Sequence, residues 1–433
     1  MDHKSSPHRW IAVGIFFAFM LLHQTDRLLI GPFTSAIMSD FHINEVQMGG
    51  VVSGALVMGS VFYPIWGYLY DRFHRPSLLA IASLIWGLTT WTSSLMRSAS
   101  SFMVARASTG IDDSSIPGIA SLISDYFAPK RRGRIFGFLQ VTIPLGYLLG
   151  MMVSLKIGAM IGWRQVYMIT GSLGVLLSGI IYLGVKEVPR GQSEPELAHL
   201  SSVQKQPFKL SLIPDLIKKR SLLLIFCQGF LGVIPWQVIT FWSFRYLEVE
   251  RFYNADRIFS IMTPAVLMIA AGYFLGGYLG DLAYEHYPRG RMYVSILGVI
   301  CGALLLFITL SIPNELPLLF MVCLSITSLF IPFASPNIAS TVYDVVLPEI
   351  RSTAISIQYF LGNIGSAFAP LLAGYIAHKF SLHQAILGIS VVTWFITAAI
   401  MAGSAYFLPR DMETLHQELA SRAAIQENPI GYN

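Results

Sequence analysis

Twelve stretches of mainly apolar residues, separated by short polar turns, set the pattern of the chain. They run at 10–33, 47–69, 78–96, 101–124, 133–155, 164–186, 220–245, 259–283, 290–311, 316–342, 351–377 and 383–407. A helix rising about 1.5 Å per residue needs about 20 apolar residues to cross the hydrocarbon core. In lipid each backbone amide must find its partner within the helix itself. The pattern therefore predicts an all-α polytopic membrane protein with twelve transmembrane helices. One long polar interruption, 187–219, carries Pro189, Pro195, Pro207 and Pro214 in a Ser/Glu/Gln-rich stretch. It divides the chain into two six-helix bundles, 1–186 and 220–407, followed by a tail at 408–433 with one amphipathic helix expected over 411–424. Length and the charges Asp26 and Arg27 distinguish the first segment from a cleavable leader.

Composition excludes a large soluble enzyme core: of 433 residues 54% are hydrophobic and 12% charged, against about 25% charged in ordinary globular chains. The net charge of +5 does not point to nucleic acid, because the basic residues lie in short loops and not in an aromatic-interleaved groove. They orient the protein instead. With both termini in the cytoplasm, most of the 29 Lys and Arg residues fall on that side, concentrated at Arg72/Arg75, Lys130 to Arg134 and Lys218 to Arg220. Cys227, Cys301 and Cys323 sit in apolar runs without metal-ligand spacing, so no disulfide framework, zinc site or other cofactor is expected. No phosphate-cradling loop with its following Lys is evident, which argues against ATP as the driver.

The halves repeat one another. Pro117, Asp125, Pro129, Arg132 and Gly146 recur at one constant spacing as Pro336, Asp344, Pro348, Arg351 and Gly365, and a Gly-Tyr-Leu-x-Asp string at Gly67 to Asp71 returns at Gly277 to Asp281. Short turns can share Pro and Arg without common ancestry, but a parallel repeat of two pseudo-symmetric six-helix bundles explains all of them together.

The loop Gly67-Tyr68-Leu69-Tyr70-Asp71-Arg72-Phe73-His74-Arg75 resembles the cytoplasmic signature of the major facilitator superfamily, with His74 where a glycine is usual. Within that superfamily the chain most resembles the Spinster-like transporters. The residues that carry this are Asp26-Arg27, Arg106 with Gly110-Ile111, Asp113 and Ser115, then Ile143-Pro144-Leu145-Gly146, and Glu187 with Pro189-Arg190-Gly191. Two departures stand out. Asp112 and Asp113 stand side by side where the family usually has Glu after Gly, and His23-Gln24 replaces an Asn-Tyr pair.

Arg106, Gly110, Asp113 and Pro117 are spaced to share one face of a helix. A charge facing lipid costs roughly 2.5–3.5 kcal/mol even on the mild insertion scale, so the charged residues should turn inward, with Asp26 the leading candidate for a partner. The functional reading, which the resemblance supports, has Asp26 and Asp113 exchanging protons while Arg106 organises them or receives an anionic headgroup; the alternative is a static ion-pair network. Asp112 is either a second coupling acid or a residue bordering another helix. Arg245 is either a substrate contact or an interfacial snorkelling residue. Trp236, Gln237, Phe333, Asn337, Gln358, Tyr359 and Asn363 offer an aromatic and neutral-polar lining for an amphipathic pathway, or ordinary packing. Asp71, Arg72, Arg75, Arg132 and Asp281 are candidates for a cytoplasmic gate.

The resemblance implies a secondary transporter of an inner or plasma membrane, not an enzyme, moving a lysophospholipid or related amphipathic lipid and drawing on a proton gradient. The alternative is symport or exchange of a small organic anion such as a sugar acid or dicarboxylate. Neither reading requires an obligate protein partner.

Overall fold

The computed structural model describes residues 7–112, 116–127, 138–188, 218–346 and 351–427, with Ile135 and Leu216. Every regular element among them is helical. The first expected span forms α1 (Pro7–Leu29) and then stops: Gly31 and Pro32 turn the chain into the short α2 (Thr34–Phe41), which ends at His42 in the left-handed region (φ 53°). Next comes α3 (Glu45–Arg72), fixed at its start by a reciprocal cap in which Asn44 and Gln47 each donate a backbone N–H to the other's side chain, both at 3.0 Å. It is followed by α4 (Arg75–Leu95).

The fourth expected span is not one continuous helix. It comprises α5 (Ala99–Ser108), a tighter 3₁₀ turn at Thr109–Asp112 and α6 (Ile116–Tyr126). Ser108 and Thr109 donate their hydroxyls to the carbonyls of Ala105 and Arg106, a competition that bends helices. Gly110 lies so close to α3 that an added Cβ would come within 2.6 Å of the Gly59 nitrogen. Trp66 of α3 donates its indole N–H to the Ile111 carbonyl at 2.5 Å, satisfying a backbone group at the break. The single helix face expected for Arg106, Gly110, Asp113 and Pro117 is therefore interrupted, and Asp113 lies outside the described residues.

The fifth span is α7 (Thr142–Met152), continued through a wide π-type turn at Val153–Ile157 where Ser154 donates back to the Gly150 carbonyl. Then follow α8 (Trp163–Gly184), α9 (Arg220–Val249), α10 (Ala255–His286) and α11 (Gly290–Ser311). The tenth span also breaks, into α12 (Pro317–Phe330) and α13 (Ala334–Val345) joined by a 3₁₀ turn at Ile331–Phe333; Pro332 has no N–H to continue the ladder. The last elements are α14 (Arg351–Lys379) and α15 (Leu382–Glu427). The helix expected over 411–424 is present as the continuation of α15, which passes through Pro409 without ending. Among the described residues eleven helices are long and apolar enough to cross a membrane, and the chain is an integral membrane protein.

The chain packs as two compact units. One holds the first six expected spans with Thr240–Ser260 and Ala367–Ala385; the other holds Ile261–Ser366 with Phe208–Ile239 and the residues from Ile386 onward. Lipid is as apolar as leucine, so close helix contact depends on small residues that admit neighbouring backbones. In the first unit α4 crosses α8 at Gly87, Gly171 and Gly174, where a Cβ on Gly87 would sit 2.7 Å from the Gly171 carbonyl oxygen. Phe16, Phe19, Trp86, Leu122 and Tyr126 fill the core beside that crossing.

Candidate functional site

The crossing of α4 and α8 aims side chains of both helices at Asp26. On the opposite side, α7 presses α1 inward: a Cβ on Gly146 would lie 2.6 Å from Gln24 Cβ, and one on Gly150 2.9 Å from the Thr25 carbonyl oxygen. Asp26 is only 4% exposed. It accepts from Thr170 Oγ1 at 2.6 Å, Trp86 Nε1 at 3.1 Å and Thr90 Oγ1 at 3.4 Å. Among the described residues these neutral donors are its side-chain partners, so the expected pairing of Asp26 with Arg106 does not form.

Arg106, at the end of α5, is also buried. Its guanidinium stands 5.1 Å from the centre of the Tyr167 ring, and its Nε and Nη1 have no hydrogen-bond partner among the described residues. Buried donors left unmatched are costly, and an acceptor, neutral or anionic, is what satisfies them. Asp112 is 1% exposed and lies 3.1 Å from His23 Nε2. His23 stacks on Phe19 and meets Trp86 edge-on. The His23–Asp112 pair escaped sequence reasoning, although the unusual His-Gln and Asp-Asp pairs marked both positions.

At one end of this unit Arg75 is fully buried. Its Nε donates to Glu187 at 2.8 Å, Nη1 to Ser121 at 2.8 Å and to Asp125, and Nη2 to the Val188 carbonyl at 2.8 Å and to Glu187. Burial alone would raise the Glu187 pKa, but hydrogen bonds from the Arg75 side chain and backbone outweigh it and hold the carboxyl below its ordinary range. The repeat has a counterpart in the second unit: Arg291 at the start of α11 bonds Asp281 at 2.7 Å and Asp344 at 2.6 Å. Arg72 stacks over Tyr68 at 4.7 Å. Asp71 lies within α3, and Arg132 falls outside the described residues.

Arg245 is held in an ion-pair cluster. Its Nη2 donates to Glu45 at 2.8 Å and its Nη1 to Ser35 at 3.0 Å, and His378 lies 3.6 Å from the other Glu45 oxygen. Glycines make this cluster possible: a Cβ on Gly49 would sit 2.5 Å from the Pro370 carbonyl oxygen, and Trp242 donates to that same oxygen at 3.2 Å.

The second unit contains a cavity of about 300 Å³ between α9, the broken tenth span and α14, at the small end of ligand pockets. Trp236, Gln358, Tyr359 and Asn363 line it as expected, joined by Gln228, Ser335, Tyr273 and Trp394. Gln237 lies outside this lining. Phe333 and Asn337 also lie outside this lining: Phe333 is buried against Gly276 and Gly298, and Asn337 donates to the Gly276 and Phe333 carbonyls, both at 2.8 Å. Among the described residues no charged side chain lines the cavity. Among the described residues no three His, Cys, Asp or Glu side chains are grouped to hold a metal.

A family model described as Major Facilitator Superfamily matches residues 15–370 and 260–427. Protein spinster of Drosophila melanogaster is 27% identical over 391 residues, covering 87% of this chain and 63% of that protein; the chain thus spans less than two thirds of its length. A probable L-galactonate transporter of Escherichia coli (strain K12) is 25% identical over 392 residues, covering 86% of this chain and 84% of that one. Among solved structures, a bacterial homolog to the human lysosomal transporter Spinster, inward-facing and unoccupied, superposes with a TM-score of 0.79 at 18% identity over 94% of this chain and 99% of that one. At that identity the likeness speaks to the fold.

Proposed function

Because the chain belongs to the Major Facilitator Superfamily, we propose that it is a secondary transporter working by alternating access, carrying a lysophospholipid or another amphipathic lipid in a proton-coupled cycle. The observation that supports this substrate class is the cavity of the second unit, whose lining among the described residues is aromatic, aliphatic, amide and hydroxyl, with no charged side chain. Such a lining accommodates apolar substance without stranding a buried ion, while a few polar groups orient what enters. Asp26 is the proton-exchanging acid of this reading, a carboxyl group buried within the first span among the neutral side chains of Trp86, Thr90 and Thr170. Asp113 keeps the same role from its place in the sequence, and Asp71, Arg72, Arg75, Arg132 and Asp281 that of gating.

A second reading, symport or exchange of a small organic anion, draws support from Arg106, whose buried Nε and Nη1 await an acceptor, and from the similarity to the probable L-galactonate transporter. Uptake by the purified protein in proteoliposomes, with labelled lysophospholipid and labelled sugar acid compared at set inside and outside pH, separates the two. Lipid movement that follows the pH gradient upholds the first reading. Sugar-acid flux without lipid movement replaces it with the second.

A further inference from the structure

Gln228 of α9 and Gln358 of α14 both line the cavity of the second unit. Gln228 is 9% exposed, and the Oε1 atoms of both residues are buried without a hydrogen-bond partner among the described residues. Two glycines of α9, three residues apart, make room for these amides. A Cβ on Gly232 would lie 2.5 Å from Gln228 Nε2, and one on Gly229 would lie 3.1 Å from Gln358 Cγ. Polar groups placed this way are costly unless something in the cavity completes them.

We propose that this cavity is a recognition site for hydroxyl groups on a neutral part of the ligand, bound by the paired side-chain amides of Gln228 and Gln358. The charge of the lining selects this chemistry. Among the described residues the pocket offers a phosphate or carboxylate no Lys or Arg and an ammonium no Asp or Glu, so either would lose its hydration to a lining that supplies no counter-charge. The amides select it further. An amide turned by 180° presents a donor in place of an acceptor, and a hydroxyl, which donates and accepts, is complementary to either setting. Trp236 and Trp394 supply apolar surface for the carbon skeleton beside those hydroxyls.

The inference rests on the transport reading and narrows it. A lysolipid with hydroxyls in its glycerol portion and a polyhydroxy acid both carry the required group, so the test uses both sources. Binding to the purified full chain in lipid nanodiscs would be measured for a lysophosphatidylglycerol and for its analogue with the hydroxyls replaced by hydrogen. The same comparison would be made for a sugar acid and its deoxy counterpart. We expect the hydroxyl form of one pair to bind wild type about tenfold more tightly than its analogue, the scale of one net hydrogen bond. Gln228→Met and Gln358→Met should each reduce that ratio toward one, while affinity for the analogue stays within about twofold.

A ratio of one for both pairs in wild type overturns the proposal, and this arm needs no variant to fold. So does an undiminished ratio in variants that remain monodisperse, which would leave ordered water as the partner of the amides. Proteoliposome flux makes the two failures distinguishable. Hydroxyl-dependent binding without flux of either ligand would count against the transport reading alone, whereas flux without hydroxyl dependence would count against this site alone.

Discussion

Replacing Arg75 by Leu removes a guanidinium that makes five side-chain hydrogen bonds, three of them to the carboxylates of Glu187 and Asp125. An exposed ion pair contributes about 0.2–1 kcal/mol, but Arg75 is 0% exposed, and deleting one partner of a buried pair costs about 3–5 kcal/mol. We expect Arg75→Leu to lose about that much, and Arg75→Lys, which keeps the charge but lacks the fork, to lose about 1.5–3 kcal/mol. Denaturant unfolding of the purified protein in mixed micelles, in a cycle with Glu187→Gln and the double variant, isolates the pair. The pH dependence has a definite sign. The Glu187 carboxyl is held below its ordinary range in the folded protein, so its contribution is fully present above the unfolded value of about 4.3 and fades as pH falls through the folded one. The stability gap between wild type and Glu187→Gln should be flat from about pH 8 to 5 and close only below about pH 4. Refutation would be Arg75→Leu unfolding within about 1 kcal/mol of wild type, or a gap that varies most between pH 6 and 7.

Asp26→Asn should fold, because the amide oxygen still accepts from Thr170 or Trp86, yet lose accumulation driven by a pH gradient by at least about tenfold; unchanged pH-driven uptake would remove Asp26 from proton coupling. Arg245→Ala should free Glu45 and Ser35 and cost about 1–3 kcal/mol, seen as faster labelling of a cysteine placed at Ser35 than in the Ser35→Cys single variant. Gly49→Val should reduce the yield of folded protein far more than Gly14→Val: a Cβ at Gly49 meets the Pro370 carbonyl oxygen at 2.5 Å whereas Gly14 has nothing within 4 Å, and forced overpacking costs about 1–3 kcal/mol. Size-exclusion profiles of the two variants check it.

Hydropathy located the spans well because lipid exposure imposes a composition on every residue of a helix. It was blind to the breaks at Thr109–Asp112 and Ile331–Phe333, because a 3₁₀ turn inside an apolar run leaves composition unchanged; Pro332 was a visible cue, while Thr109 acts through a hydroxyl that could equally have faced a neighbouring helix. The Arg245–Glu45 pair was illegible for another reason. Glu45 precedes the second apolar run and Arg245 closes the seventh, so no periodicity within either segment relates them. In the cavity, Trp236, Gln358, Tyr359 and Asn363 stood out as polar or aromatic interruptions, and Gln228 carried the same mark, beside Gly229 and four residues before Gly232. Asn337 and Phe333 carry it too yet lie outside the cavity lining, and the Asn337 amide meets backbone carbonyls, because a side-chain amide can as readily satisfy a carbonyl as a ligand.

The unbroken run of α15 has a mechanical consequence. Its 46 residues extend about 69 Å at 1.5 Å per residue, more than twice the roughly 30 Å of hydrocarbon it has to cross. A stiff rod that is half embedded acts as a pointer: a tilt of a few degrees in its membrane portion displaces its far end by several ångströms. A fluorophore near Glu413 would report such a tilt optically, without any label inside the bilayer.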